Sequence, residues 1–140
     1  MKSRVKEDAI GELVEYMAAS GKIKARLAGE VVKRILKRER QGSTGIGNGV
    51  AIPHIKGYEK VKTMVGVLGR SKGGVDFDAL DGGLCHLFFL LVIPKEQTAE
   101  HLAVLKRVAG IARDAELCAY LRETDDLNTL FALVDEVGGR

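Results

Sequence analysis

Between Gly42 and His54 the chain reads Gly-Ser-Thr-Gly-Ile-Gly-Asn-Gly-Val-Ala-Ile-Pro-His. Four glycines in eight residues loosen the backbone, and Val50-Ala51-Ile52 then reads as a short buried strand. Pro53 has no N–H to give a sheet ladder, so it stops that strand and leaves His54 at its end. An imidazole there is able to act as a nucleophile or a proton carrier. Glycine amides beside it approach an anion closely, which fits a phosphate site. The competing reading is structural: a polar side chain satisfied at a strand end, next to a run of turns. A nucleotide is not implied by either. The run lacks the Lys-Ser/Thr that closes a P-loop, and its glycine spacing does not match the dinucleotide fingerprint.

His86 and His101 are the other histidines, and both lie in apolar segments. With Cys85 they suggest a zinc reading. No pair has the i, i+4 or Cys-x-x-Cys spacing of a metal site, so no metal is expected. His86, inside the apolar run Leu84–Ile93, reads as a hydrogen-bonded core residue. Asp76, Asp78 and Asp81-Gly82 resemble a calcium loop in composition, but its ligand spacing and downstream glutamate are missing.

These residues need elements to hold them. Ile10, Leu13, Val14, Met17 and Ala18 define one face of a helix from about Lys6 to Ser20, with Gly21 as its stop. Leu27, Val31, Val32, Ile35 and Leu36 define a second, ending near Gln41-Gly42. Arg38 falls on the edge of that buried stripe, while Lys33 and Arg40 point elsewhere. The cations at 33, 34, 37, 38 and 40 complement the helix's negative end. Thr63–Gly69 reads as a strand, Ser71–Gly74 as turns, Val75–Phe77 as a short extended piece, and Leu84–Ile93 as a buried central strand closed by Pro94. Thr98 is a good N-cap for a helix over Ala99–Ala112, with His101 facing inward above Leu105, Val108 and Ala112. At that helix's positive end the imidazole stays neutral. Two short helices follow, Asp114–Arg122 and Asp126–Val137. The loose alternation predicts one layered α/β (α+β) domain over 1–140, a small mixed β-sheet flanked by helices on both faces.

Composition is that of a soluble globular domain, 46% hydrophobic with a net charge of +3. Residues 1–40 hold 11 Lys/Arg against 6 Asp/Glu, so they carry +5 and the remainder −2. Without tryptophan, and without aromatics among the cations, nucleic-acid binding has no support. The longest apolar run is too short to span a bilayer and no signal-peptide core follows Met1. Two unpaired cysteines agree with a cytoplasmic protein.

Arg38-Glu39, Thr44, the glycine run, Ala51-Ile52-Pro53-His54, Gly74-Val75-Asp76-Phe77, the strand ending at Pro94 and Glu100-His101-Leu102 occur together in order. From about Lys6 to the C-terminus the chain resembles the mannitol/fructose class of enzyme IIA domains of the phosphoenolpyruvate-dependent phosphotransferase system, which includes the nitrogen-regulatory IIA proteins. The resemblance implies a phosphocarrier that uses no cofactor. His54 would accept a phosphoryl group from an HPr-type carrier, or its nitrogen-branch counterpart. It would then pass the group to a IIB domain or signal nutrient state to a regulatory target. His101 and Arg38 would flank the phosphoryl group, and Thr44, Gly47 and Gly49 are candidate phosphate donors. Such a protein meets the membrane only through a transporter partner. Neither cysteine has the glycine-rich loop of a IIB nucleophile, so a IIB would be a separate chain. Two departures stand out. Ile55 follows the histidine where the family has a small residue, and is expected to fill space where a partner docks. The chain also starts almost at the first helix, so the family's leading edge strand is expected to be missing. The alternative function is a non-transferring regulatory module with the same fold.

Overall fold

Ten consecutive buried residues, Cys85–Pro94, form β5, the strand on which the rest of the sheet is assembled. A computed structural model describes residues 1–96 and 98–125. The helix expected over Asp126–Val137 lies outside them.

One edge of β5 is taken along its length by antiparallel β4, Val65–Val75. The ladder runs from Val65 opposite Val92 to Arg70 opposite Leu87, slips, and resumes at Val75 opposite Cys85. The segment expected to turn, Ser71–Gly74, is therefore a bulged continuation of the strand, because the slip absorbs its extra residues while the pairing goes on. The other edge of β5 receives two short parallel strands in succession. β2, Val50–Ala51, pairs with Leu87 and Phe88, and β3, His54–Tyr58, begins opposite Leu91. β1, Gly45–Gly47, folds back antiparallel on β2. Pro53 separates β2 from β3, and its carbonyl accepts from the Leu91 N–H at 3.0 Å. His54 thus opens a strand rather than ending one. The proline interrupts the ladder, and the chain rejoins the same edge immediately.

Side chains of β5 alternate between two cores, as the pleat requires. Phe88, Leu90 and Val92 face α1, Lys6–Ala19, and α2, Ala28–Glu39. Leu87, Phe89, Leu91 and Ile93 face α3, Thr98–Ala112, and α4, Ala115–Glu123. The expected layered domain with helices on both faces is what forms. α1 buries Ala9, Ile10, Leu13, Val14 and Met17 and stops at Gly21, whose φ of +77° suits glycine. α3 starts one residue earlier than expected.

The residues before α1 run against β4. Asp76 N–H donates to the Arg4 carbonyl at 3.1 Å, and Val5 makes one parallel bridge to Asp76. No helix among the described residues is long and apolar enough to cross a membrane.

Candidate active site: a histidine pair beside a cationic cleft

His54 is only 6% exposed, yet it lines an open cleft of about 480 Å³ between the start of β3 and the last turns of α2. Its Nδ1 lies 2.7 Å from the Ile52 carbonyl oxygen. A carbonyl can only accept, so Nδ1 carries the proton and Nε2 keeps its lone pair. Pro53 is what makes this geometry local: the break it imposes folds the imidazole back onto the carbonyl two residues earlier.

The His101 ring, on the first turns of α3, is 6.2 Å from the His54 ring and tilted by 42°. It is 2% exposed, and its Nε2 has no hydrogen-bond partner among the described residues. A buried polar atom without a partner is costly, and such atoms mark sites where something else binds. Arg38, in the last turn of α2, lines the same cleft as His54 and is half-buried. One of its N–H groups donates to the Gly42 carbonyl at 3.0 Å, which leaves the rest of the guanidinium free to serve the cleft.

Both imidazoles are held below the usual histidine pKa. Burial is the main cause for His54; the Ile52 carbonyl opposes it, and the charges of Arg38 and Lys56 reinforce it. For His101 burial again leads, followed by Lys56 and His54. Neutral rings at physiological pH are the consequence.

The glycine run is elsewhere. The Gly49 carbonyl accepts from the N–H groups of His86 and Leu87, at 2.7 and 2.9 Å, whereas His54 pairs at Leu91. Four residues of strand put these places about 13 Å apart. Gly47 is on the outer strand β1, beside Asp81. Neither glycine faces His54, because the turn between β1 and β2 carries the run to the opposite end of β5. Thr44 is also committed elsewhere. It is buried, its hydroxyl donates to the Glu39 carboxylate, and its N–H reaches the same carboxylate at 3.2 Å. Lys6 completes this buried group at 3.2 Å from Glu39. Thr44 holds the chain leaving α2 in place and has no proton left to give a phosphate.

His86 is a core residue, as its position implies. Its Nδ1–H donates to the Ser71 carbonyl at 2.9 Å, and Arg122 donates to Nε2 at 3.1 Å. Cys85 and Cys118 are buried, and burial pushes both thiols up, Cys85 to about 12, so neither supplies a thiolate. Among the described residues no group of three or more His, Cys, Asp or Glu is placed to hold a metal ion.

Ile55 is 4% exposed and belongs to the core under α1 and α2, and it also lines the cleft beside His54. Lys33, expected to point away, lines the cleft with Arg34 and Lys37, since a long side chain one turn from Lys37 reaches the same wall. Lys56 was not singled out by its sequence. The available signal was the strand period, which puts residue 56 on the same side of β3 as His54.

The fold is thus a β-sheet with helices on both faces, and its candidate site is a buried histidine pair whose His54 lines a cationic cleft. The chain belongs to the family described as phosphoenolpyruvate-dependent sugar phosphotransferase system, EIIA 2, whose model matches residues 1–137. It is 38% identical over 128 residues to a nitrogen regulatory protein of Klebsiella oxytoca, covering 91% of this chain and 77% of that protein. It is 34% identical to the fructose-specific EIIABC component of Bacillus subtilis, covering 97% of this chain but 21% of that longer protein. Among solved structures it is similar to the nitrogen regulatory protein IIA-Ntr of Neisseria meningitidis, with a TM-score of 0.85 and 30% identity over 96% of this chain and 89% of that one. The fold also matches enzyme IIAMtl of Escherichia coli in its complex with phosphorylated enzyme IIBMtl, at a TM-score of 0.76 and 22% identity, covering 100% of this chain and 92% of that one.

Proposed function

We propose that residues 1–140 act as one EIIA unit, a cytoplasmic phosphocarrier. It accepts a phosphoryl group on Nε2 of His54 from an HPr-type carrier and delivers it to a IIB partner or signals with it to a regulatory target. The observation that carries this reading is the 2.7 Å contact between Nδ1 and the Ile52 carbonyl, which leaves the lone pair on Nε2 and supports that nitrogen as the nucleophile. In the transfer, the Nε2 lone pair forms the new N–P bond as the donor's N–P bond breaks, and the electron pair returns to the donor imidazole. Arg38 offers N–H groups to the phosphoryl oxygens, a charge-assisted contact. His101, neutral and with an unpartnered Nε2, supplies a hydrogen-bonding nitrogen without adding a competing charge. The IIA–IIB complex of the related fold in Escherichia coli supports a IIB domain as the acceptor.

Incubation with phosphoenolpyruvate, enzyme I and HPr tests the reading. Wild type should acquire an acid-labile, base-stable phosphate that His54→Ala does not. Equal labelling of the two would overturn the assignment of His54.

A further inference from the structure

Cations around the cleft exceed what one phosphoryl group requires. Five of them line it, Lys33, Arg34, Lys37, Arg38 and Lys56, with no carboxylate among the lining residues. A phosphoryl group brings about two negative charges, which Arg38 and Lys56 beside His54 already match. Arg34 is partly occupied, 3.7 Å from Glu59 and stacked over the Tyr58 ring. Lys33 and Lys37 are exposed and have no ion-pair partner among the described residues. The helix dipole does not explain all of them. Its effect is confined to the last turn, where Lys37 and Arg38 lie, whereas Lys33 and Arg34 are mid-helix. Lys33/Lys37 and Arg34/Arg38 are moreover like-charged i, i+4 pairs, which weaken a helix. A wall of repelling cations around a reactive histidine needs a source of negative charge outside the chain.

We propose that the α2 wall of the cleft is the docking surface for a protein partner whose own face is acidic around the group it exchanges with His54. This rests on the reading of His54 as phosphoacceptor and adds the electrostatic character of the partner. The concave cleft suits a protein knob better than a flat anionic membrane. Every protein that exchanges a phosphoryl group with His54 must cover the cleft, so the donor is a sufficient probe.

The experiment measures phosphoryl transfer from the phosphorylated HPr-type carrier of the same organism between about 25 and 400 mM KCl. It compares wild type with the Lys33→Glu/Lys37→Glu and Lys33→Gln/Lys37→Gln variants. Steered association loses tenfold or more with salt or charge reversal. Wild type should therefore slow at least tenfold across the salt range. The Glu variant should be at least tenfold slower at low salt with a flatter salt dependence, and the Gln variant should fall between. At about 400 mM KCl, where steering of this small anionic donor is also largely screened, all three should label His54 from phosphoramidate, which needs no protein docking, at similar rates. A transfer rate that rises with salt, or Glu-variant transfer as fast as wild type, would overturn the proposal. So would salt-independent transfer combined with salt-sensitive retention on phosphatidylglycerol vesicles, which would assign the cations to a membrane. If wild type took no phosphate on His54 from either donor, the phosphocarrier reading itself would fail.

Discussion

On the proposed reading His54 is both buried and nucleophilic, and these demands oppose each other. Burial removes it from water and disfavours its cation, which keeps the ring neutral but narrows the path to Nε2. Here His54 lines the cleft, and Arg38 and Lys56 further disfavour protonation. The expected outcome is a His54 imidazole titration by NMR with a midpoint below 6.5, and labelling that persists at pH 6, where a free imidazole is mostly protonated. A midpoint above 6.5 would contradict the site's electrostatics. The stability consequence has a definite sign. The folded pKa is depressed, so below about pH 6.5 the unfolded chain binds protons that the folded chain does not. The contribution of His54 to stability is present above that pH and lost as pH falls. His101 acts in the same direction.

The two helpers proposed for His54 differ in charge, and so should their variants. Arg38→Ala removes a charge-assisted contact and should weaken the phosphorylated form by about 1.5–3 kcal/mol. His101→Ala removes a neutral one, about 0.5–1.5 kcal/mol. Mass spectrometry should still find phosphate on His54 in both, and the discharge equilibrium with the carrier should rank them in that order. Labelling lost in His101→Ala but intact in His54→Ala would reverse the roles of nucleophile and helper.

At the scale of elements, the site depends on how α2 hands the chain to the sheet. Glu39 is buried at the end of α2, where it accepts from Thr44 and pairs with Lys6 of α1. Thr44→Val should cost about 1–3 kcal/mol in urea unfolding, because a buried carboxylate loses a donor. Phosphate uptake on the folded protein should be unchanged. Lost uptake with intact stability would instead place Thr44 on the phosphoryl group.

Much of this organisation was legible in the chain. The spacing Ile10, Leu13, Val14, Met17 marked α1, and the unbroken run at 84–93 marked the central strand. Pro53 and His54 marked the candidate site. What was not legible depends on contacts distant in sequence. Local composition made the glycines and His54 look like one phosphate loop, yet parallel pairing on β5 puts them at different levels of the sheet. Ser71–Gly74 has turn residues, but pairing with β5 carries the strand through a bulge. Helical phase alone turns Lys33 away from the cleft, because phase ignores the reach of a lysine.

At the scale of the whole molecule, two cores among the described residues share β5, and the cleft beside His54 lies between β3 and α2. Phe88 is fully buried against Phe77, with ring centroids 5.4 Å apart, beneath α1 and α2. Phe88→Ala should cost about 3–5 kcal/mol, a large share of the 5–15 kcal/mol that holds a domain together. The midpoint of urea unfolding should fall accordingly. A loss under 1 kcal/mol would mean that this core collapses around the cavity.

The proposed function puts the chemistry on one nitrogen, because Nδ1 of His54 is held by the Ile52 carbonyl. Phosphorus-31 and nitrogen-15 NMR of the protein phosphorylated through HPr distinguishes the two ring isomers and assigns the residue. The predicted result is a single phosphohistidine at His54 bonded through Nε2. Phosphate on Nδ1 of His54, or on His86 or His101, would contradict it.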